Sequence, residues 1–414
     1  MNAQDLSRRR IVAAGAGFLA ASAVGKVFVG SAVAADIPQL EPILPAGLRE
    51  AAKLEALPGK APLIKLTYRP PNYETPIDYF KDVFTPNEAF FVRYHLAMIP
   101  EVDAAKWRLK IGGDAANTPF ELTLDQLKAF EPVEIAAVCQ CSGNRRGLFD
   151  PHVPGVEWGY GAMGNAKWKG ARLKDILAKA GVKDSAKEIL LDGADGAVVD
   201  KTPDFVKSIP VSKAMENDVL VAYEMNGKPL PHWNGFPARI IVPGWTATYW
   251  MKHITSIQAI SQPFDGFWMK SAYRIPQGIF PIVSRFPTKD TAINAPITEM
   301  VVNSLIVSPT EGSKVGTASE ATVTGIAWDG GYGITSVVVS VDGGHSFEQA
   351  TLGPDSGRFS FRPWSYRFRP KASGAVTIVA NATNRIGQSQ TSQIIPNPAG
   401  YHHNVMHRVT VQIG

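Results

Sequence analysis

Cysteine is scarce in this chain, whose 414 residues include two cysteines, Cys139 and Cys141. A disulfide needs Cα atoms about 4.4 to 6.8 Å apart with converging Cβ vectors, and cysteines separated by a single residue meet that requirement poorly. This spacing argues against a disulfide-stabilised framework. It favours thiol chemistry, such as a thiolate that binds a metal.

Charged residues are also few, and neither sign dominates. Charged residues make up 19% of the chain, and the formal net charge is +5. Residues 1–34 hold +3 of that excess, so the high isoelectric point belongs mostly to the N-terminus and gives no support for a nucleic-acid partner. Motifs for haem attachment, iron–sulfur ligation and dinucleotide binding are missing too. We therefore expect no haem in this chain.

Long apolar runs are confined to the N-terminus. Ser7-Arg8-Arg9 resembles a twin-arginine signal, an Ala- and Gly-rich run follows, and Ala32-Val33-Ala34 offers a small-residue cleavage site. A transmembrane anchor is the alternative, but glycines and Lys26 make the run weakly apolar. We predict that residues 1–34 are a cleaved export signal, that no membrane span follows it, and that the protein is periplasmic.

The rest of the chain divides into three predicted parts. Residues 35–84 form a Pro-rich lead that wraps the surface and holds a helix over 47–57. Residues 85–290 alternate short strands and helices irregularly, which predicts an α+β domain. Strands are expected over 90–95, 107–112, 133–138, 188–192 and 239–242, and helices over 123–129, 173–180 and 211–215.

Residues 295–414 have a different pattern, with β-rich runs separated by turn clusters such as Asp-Gly-Gly. Strand lengths and turn spacing predict an antiparallel, immunoglobulin-like β-sandwich. The predicted strands are 301–307, 320–328, 334–341, 359–368, 375–381 and 409–413. No convergent polar cluster is visible in this part, so we expect it to contact another subunit or domain.

The segment Cys139-Gln-Cys-Ser-Gly-Asn-Arg-Arg-Gly147 concentrates the chemistry. The strand over 133–138 ends at Cys139, which continues the apolar run and is interpreted as a small buried hydrophobe. Cys141 falls in the turn, where Arg145 and Arg146 would favour a thiolate. For Cys141 the residues alone leave a buried thiol and a metal ligand equally open.

Several spaced motifs resemble the sulfite oxidase family of molybdenum enzymes. They are Phe91-Val92-Arg93-Tyr94-His95, Gln140 to Arg146, Gly193-Ala194-Asp195, Asn234-Gly235-Phe236-Pro237-Ala238-Arg239, Val242-Pro243-Gly244, Tyr249-Trp250-Met251-Lys252 and Ala272-Tyr273-Arg274. The last resembles bacterial sulfite dehydrogenases. Gly325 to Gly331 and Ser340 to Gly344 are similar to the family's dimerisation domain, so the resemblance covers about residues 85–414.

The resemblance implies a molybdenum-molybdopterin cofactor with Cys141 as the protein's metal ligand. It assigns sulfite binding to Arg93 and Arg146, whose guanidinium groups suit an oxyanion, and a phenol near the metal to Tyr273, with His95 on the same face. Arg239 and Lys252 would hold the terminal phosphate of the cofactor. The implied cofactor-binding residues are Phe91, Arg93, His95, Asn144, Asp195, Asn234, Arg239, Trp250 and Lys252. Position 234 is commonly histidine in animal relatives, which leaves its charged phosphate contact in doubt.

The implied activity is oxidation of sulfite to sulfate by oxygen-atom transfer, with electrons passed to an external c-type cytochrome. A homodimer or a heterodimer with a cytochrome subunit is expected. The nearest alternative is the sulfane dehydrogenase subunit of thiosulfate oxidation; methionine sulfoxide reductases and plant nitrate reductase are more distant. A non-catalytic periplasmic binding protein, with incidental cysteines, is the alternative from another class.

Overall fold

A computed structural model describes residues 53–278, 293–317 and 320–414. The predicted export signal, the first part of the Pro-rich lead and residues 279–290 of the predicted catalytic domain lie outside the described residues. In the described part, none of the helices is long and apolar enough to cross a membrane.

The described part of the lead forms a sheet. It contributes β1 Leu54–Ala56, β2 Pro62–Thr67 and β3 Asn72–Glu74, and β4 Val92–Arg93 from the next part of the chain is the fourth strand; the order across the sheet is β1-β2-β3-β4. Tyr73 and Phe80 are fully buried, so the predicted surface wrapping is wrong for this part. The helix predicted over 47–57 is also wrong where it is described, because β1 pairs with β2 there.

The α+β domain follows. Its strands are β5 Leu109–Gly112, β6 Phe120–Leu122, β7 Pro132–Gln140, β8 Met163–Arg172, β9 Glu188–Gly193, β10 Lys207–Pro210, β11 Leu220–Met225, β12 Lys228–Pro229, β13 Arg239–Ile241, β14 Ile254–Ile260, β15 Arg274–Pro276 and β16 Asn294–Pro296. Its helices are α1 Leu124–Lys128, α2 Leu173–Ala180, α3 Val211–Ala214 and α4 Phe267–Lys270. Short 3₁₀ turns occupy Ile77–Lys81, Arg146–Leu148, His232–Asn234 and Ala247–Tyr249.

Local sequence explains the helices that were predicted. Thr123 caps α1, accepting a hydrogen bond from the backbone N–H of Gln126, whose side chain returns one to the Thr123 backbone. In α2 the buried residues recur with helical spacing: Leu173, Ile176, Leu177 and Ala180. Gly181 ends this helix with a φ of 63°, a conformation that favours glycine.

Two large sheets and a small one, β15-β16, build this domain. One has the order β10-β9-β14-β5-β6, in which β14 and β5 are parallel. The other has the order β12-β11-β8-β7, with β13 added to β11. The β7 and β8 strands pair over their whole length, from Pro132↔Ala171 to Gln140↔Met163. The cysteine segment lies at the end of β7 in this long pair of strands.

The last part is a sandwich of two sheets. Its strands are β17 Asn303–Ser308, β18 Lys314–Val315, β19 Ala321–Trp328, β20 Ile334–Ser340, β21 Glu348–Gln349, β22 Thr351–Leu352, β23 Arg362–Phe368, β24 Gly374–Asn384 and β25 His407–Ile413. The sheet orders are β17-β19-β23-β22 and β18-β25-β24-β20-β21. Pairing between these strands is antiparallel, as predicted, except between β18 and β25, which pair in parallel.

The sandwich packs directly against β7. The backbone N–H of Val138 donates to the carbonyl of Phe359 over 2.9 Å, and Trp328 Nε1 donates to Gln140 Oε1 over 2.6 Å. An apolar cluster that includes Val138, Phe80 and Trp328 fills the space between the two parts. The strand that leads to Cys141 is therefore held from both sides.

Candidate active site

A cleft in the α+β domain gathers most of the predicted site residues. The predicted residues that line it are Phe91, Arg93, His95, Cys141, Asp195, Asn234, Arg239, Trp250, Lys252 and Tyr273. They come from the β4 segment, the end of β7, the turn after β9, and the segments around β13, before β14 and before β15. Side chains far apart in the sequence thus share one pocket.

Both cysteines face this cleft. Cys139 and Cys141 are two residues apart at the end of β7, and extended backbone places alternate side chains on one face. The prediction that Cys139 is buried is correct, but the residue also forms part of the cleft wall, with its Sγ 3.9 Å from Arg239 Nη2. Burial raises the pKa of the Cys139 thiol to about 11, so this thiol is protonated at neutral pH.

Arg93, His95 and Tyr273 lie together beside the cysteines. His95 Nε2 and the Tyr273 hydroxyl share a hydrogen bond, and Phe205 stacks on the His95 ring with centroids 3.6 Å apart. Burial, reinforced by the charges of Arg93 and Lys252, lowers the pKa of His95 well below its usual range. The imidazole is therefore neutral at neutral pH, with one ring nitrogen that donates a hydrogen bond and one that accepts.

The backbone and neighbours of Tyr273 hold its phenol in place. Its φ is 59°, a left-handed conformation that is costly for a bulky residue, and the Ile297 N–H donates to its carbonyl over 2.8 Å. Tyr401 stacks on its ring with centroids 5.6 Å apart and an interplanar angle of 8°. Burial raises the pKa of Tyr273, an effect that the Arg93 charge opposes. The phenol is a rigid, protonated hydrogen-bonding group.

The other end of the cleft is cationic. Arg239 is buried between the rings of Trp168 and Trp250 and donates to the carbonyls of Asn234 and Trp250, over 3.0 Å each. Lys252 Nζ donates to the Arg93 carbonyl over 2.6 Å, and burial lowers its pKa well below the usual range. These cations are bonded to uncharged oxygens, which leaves their charge available to an anion.

Two buried polar atoms at this end have no hydrogen-bond partner among the described residues. They are Arg239 Nε and Thr248 Oγ1. Burying an unpaired donor costs about 1–3 kcal/mol, so such atoms mark a place where another group binds. Asp195 lines the same region, and burial raises the pKa of its carboxyl, opposed by the charge of Lys252.

Two predicted site residues do not line the cleft. Asn144 accepts a hydrogen bond from the Ala162 N–H over 3.0 Å and so supports the cysteine turn. Arg146 lies beside the cleft, where it donates to the carbonyls of Ala399 and Val156 and sits over the Tyr401 ring at 5.3 Å. Its charge is still close enough to favour ionisation of the Tyr273 hydroxyl.

Arg145 points away from the site. It is 1% exposed and donates to Asn303 Oδ1 over 2.7 Å and to the Ser304 carbonyl over 2.9 Å, both in the sandwich. The Tyr160 ring lies 5.2 Å from its guanidinium. Arg145 therefore joins the two parts of the molecule, and the interpretation that it stabilises a Cys141 thiolate is not supported by its contacts.

Comparison with known proteins identifies the family. Residues 95–268 match the model described as oxidoreductase molybdopterin binding domain, and residues 294–414 match the Mo-co oxidoreductase dimerisation domain. Mitochondrial sulfite oxidase from Mus musculus is 33% identical over 372 residues, covering 86% of this chain and 67% of that protein. The chain belongs to the sulfite oxidase family.

Other members of the sulfite oxidase family extend the match. The Drosophila melanogaster mitochondrial sulfite oxidase is 36% identical, covering 83% of this chain and 62% of that protein. The Arabidopsis thaliana sulfite oxidase is 28% identical and is covered over 98% of its length. The chain spans about two thirds of the mouse protein and less of the fly protein.

A solved structure shares the fold. The sulfane dehydrogenase SoxCD from Paracoccus pantotrophus superposes with a TM-score of 0.71 at 24% identity, covering 86% of this chain and 87% of that one. The predicted fold class, an α+β molybdopterin-binding domain followed by a β-sandwich, is confirmed. The immunoglobulin-like character of the sandwich stays a prediction.

The residues of the cleft fit the cofactor of the sulfite oxidase family. A molybdopterin carries an anionic phosphate, and Arg239 Nε and Thr248 Oγ1 are the unpaired buried atoms that such a group can satisfy. Arg239 and Lys252 supply positive charge at the same end. The Cys141 thiol provides a soft donor for molybdenum in the same cleft. The predicted molybdenum-molybdopterin cofactor is therefore confirmed by family and by fit.

Several residues of the site were not predicted from the sequence. They are Lys60, Tyr94, Phe205, Lys207, Trp233, Thr248 and Tyr401. Lys207 is fully buried, with its Nζ 5.0 Å from the centroid of the Tyr273 ring, and Tyr401 comes from the sandwich region. Tyr94 lies inside the Phe91 to His95 motif but was not assigned a role there; the others lie in no quoted motif and reach the site only through tertiary contact. A buried lysine has no local sequence signal.

Proposed function

We propose that this protein oxidises sulfite to sulfate at a molybdopterin cofactor bound in the cleft, with Cys141 as the metal ligand from the protein. The observation that carries the proposal is the grouping of Arg93, His95 and Tyr273 around one cleft wall that also holds Cys141. This combination provides a soft thiol donor, a fixed positive charge and a proton-carrying pair within one pocket.

When bound, the molybdenum cofactor supplies the oxygen-atom and electron transfer. The chain's own contribution begins with binding of the substrate. Arg93 carries a permanent charge at the cleft wall, and its planar guanidinium suits the oxygens of sulfite. Arg146 stands beside the cleft and adds positive charge, which favours the anion further.

The Tyr273 and His95 pair handles protons. The Tyr273 hydroxyl is protonated and is fixed by stacking and by its backbone, so it can donate a hydrogen bond to an anion in the cleft. His95 is neutral and bonded to that hydroxyl, so it holds the hydroxyl within a short hydrogen-bond chain. Conversion of sulfite to sulfate takes its oxygen from water and releases two protons and two electrons; such a chain can relay a proton when one group passes a proton on as it takes another up, without either group becoming charged.

We further propose that the electrons leave to an external c-type cytochrome in the periplasm. The twin-arginine-like start of residues 1–34 supports the location, and the lack of haem, iron–sulfur and dinucleotide motifs in the sequence supports a separate acceptor. The dimerisation domain supports assembly as a homodimer or with a cytochrome subunit. Cell fractionation should find the protein in the periplasm, and replacing Arg8 and Arg9 by lysine should retain it in the cytoplasm.

One preparation can test the catalytic proposal. The purified holoprotein is assayed with sulfite or with thiosulfate, and the reduction of cytochrome c is followed. In a third assay methionine sulfoxide is the substrate, a reduced dye supplies the electrons, and the oxidation of the dye is followed. We expect rapid cytochrome reduction with sulfite and little turnover with the other two substrates. Rapid turnover of thiosulfate, or no turnover of sulfite by protein that contains molybdenum, would contradict the proposal.

A further inference from the structure

Lys60 reaches the cationic end of the cleft from outside the matched domain, which begins at residue 95. It follows Gly59, whose φ of 72° suits glycine in the turn between β1 and β2, and its N–H donates to the Leu57 carbonyl over 2.9 Å. The side chain is 8% exposed. A lysine that is almost fully buried needs strong partners or a function.

All three ammonium protons of Lys60 are used. Its Nζ donates to the carbonyls of Asn87 and Phe90, over 2.7 Å and 3.0 Å, and to Asn234 Oδ1 over 2.5 Å. Each of these acceptors is uncharged. Burial lowers the pKa of Lys60 to about 7, and the nearby Glu88 charge opposes that shift. The side chain is therefore only partly charged at neutral pH, and an anion bound nearby would favour its charged form.

The lysine determines which end of the Asn234 amide is free. Because Oδ1 accepts from Lys60, the other end of the amide donates, and Nδ2 reaches the Phe91 carbonyl over 3.1 Å. An amide nitrogen has two protons, so one donor remains for the cleft that Asn234 lines. A free N–H suits an anionic oxygen, whereas a free carbonyl oxygen would repel it.

The Asn234 side chain has no charge of its own. Asn234 also lies beside the other cations of this end: its backbone carbonyl accepts from Arg239 over 3.0 Å. Lys60 thus places an amino group next to Asn234, whose own side chain has no charge.

We infer that Lys60 is a positioning residue for the anionic, phosphate-bearing end of the cofactor: it fixes the Asn234 amide with its N–H toward the cleft and adds charge behind it. This inference rests on cofactor binding in the cleft, and it is independent of which substrate is oxidised. The N-terminal strands then contribute to cofactor retention although they lie outside the matched domain.

The test measures cofactor release by the full-length holoprotein. Lys60→Met, Lys60→Arg and the control Lys65→Met are dialysed, and the molybdenum and pterin that remain per chain are followed with time. Lys65 lies in the neighbouring strand β2 and pairs with Glu55 at 2.7 Å, away from the cleft residues. We expect release from Lys60→Met to be about tenfold faster than from the wild type, partial retention in Lys60→Arg, and wild-type release in Lys65→Met.

Two further measurements distinguish positioning from a structural role. First, the Asn234→Ala background should nearly abolish the effect of Lys60→Met, because coupled residues are not additive. Second, Lys60→Met leaves three acceptors without their donor and so lowers the melting temperature of the cofactor-free protein; release is therefore compared well below that temperature, where the faster release should persist. Wild-type release from Lys60→Met, an equal effect in the Asn234→Ala background, or faster release seen only near the melting temperature would overturn the inference.

Discussion

The basic side chains of the cleft and those of the sandwich differ in burial and in the charge of their partners. In and behind the cleft, Lys60, Lys207 and Arg239 are buried and bond to carbonyls or lie over aromatic rings. In the sandwich, Arg362 pairs with Asp355 at 2.8 Å, and the largely exposed Arg367 lies 3.8 Å from Glu320. Neither sandwich arginine is fully buried.

The difference separates a binding site from a scaffold. Burying a cation without a carboxylate costs stability, because neutral partners replace water only in part. A fold tolerates that cost where an anion completes the site. Exposed pairs contribute little, about 0–1 kcal/mol each, and serve mainly to keep the surface polar. Arg145 is equally buried among neutral partners and only joins the two parts, so burial alone does not mark a site. In the cleft, Arg239 and Lys252 also line an open pocket, and that combination favours an anionic ligand.

Removing a cleft cation should have the largest effect on cofactor retention. For Arg239→Met we expect release of molybdenum and pterin to be about a hundredfold faster, because two charge-assisted contacts are worth about 3 kcal/mol. Arg367→Met, in the sandwich, is the matched control and should release cofactor at the wild-type rate. Equal retention by the two variants would remove the distinction between the two regions.

A substitution that keeps the ring but removes the hydroxyl should affect turnover and not retention. For Tyr273→Phe we expect kcat/KM for sulfite to fall about ten- to a hundredfold, since the hydroxyl that hydrogen-bonds His95 is lost. Steady-state kinetics per molybdenum measures this. Tyr366→Phe removes a hydroxyl bonded to Glu348 in the sandwich and should leave kcat/KM unchanged. A wild-type rate for Tyr273→Phe would exclude the proton-carrying role.

Buried histidines near the contact between the two regions should make stability depend on pH. Burial lowers the pKa of His402 and of His403 from 6.5 to about 3. Below pH 6.5 the unfolded chain binds protons that the folded protein excludes, so the free energy of unfolding should fall as pH decreases toward 3. The slope is at most about 1.4 kcal/mol per pH unit for each histidine.

Urea unfolding of the cofactor-free protein between pH 7.5 and 4 measures this dependence, and His402→Gln should reduce the slope. An unchanged slope in that variant would show that His402 does not contribute. Local opening of the segment that contains His402 exposes the imidazole to solvent, so the observed slope should stay below this upper bound.

The sequence was sufficient for the motif residues and insufficient for their neighbours. Arg93, His95, Cys141 and Tyr273 could be placed together because each lies in a spaced motif, and the structure brings them to one cleft. Helix α2 was predicted with its observed bounds because its apolar spacing and terminal glycine agree. A local signal was enough for the helix, whereas the grouping of the site residues was predicted from the resemblance to the sulfite oxidase family.

Predictions from the sequence failed for elements whose conformation depends on tertiary contacts. Leu-Glu-Ala favours a helix, yet Leu54–Ala56 pairs with β2 because strand pairing overrides propensity. Strand β8 was missed since it contains glycines, which strands usually avoid. Those glycines are required by close packing: a Cβ at Gly164 would lie 2.5 Å from the Phe90 ring, and one at Gly170 would lie 2.2 Å from the Val221 carbonyl oxygen. Arg145 and Arg146 are consecutive, yet Arg145 bonds to the sandwich and Arg146 lies beside the cleft. Tertiary contacts, which the local sequence does not show, determine this difference.

The most direct test of the account compares the two cysteines that share the cleft. X-ray absorption at the molybdenum edge counts sulfur neighbours in the wild type, Cys141→Ser and Cys139→Ser. We predict that Cys141→Ser has one sulfur fewer than the wild type and loses sulfite turnover, whereas Cys139→Ser keeps the full sulfur count. A full sulfur count and undiminished turnover in Cys141→Ser would contradict the account.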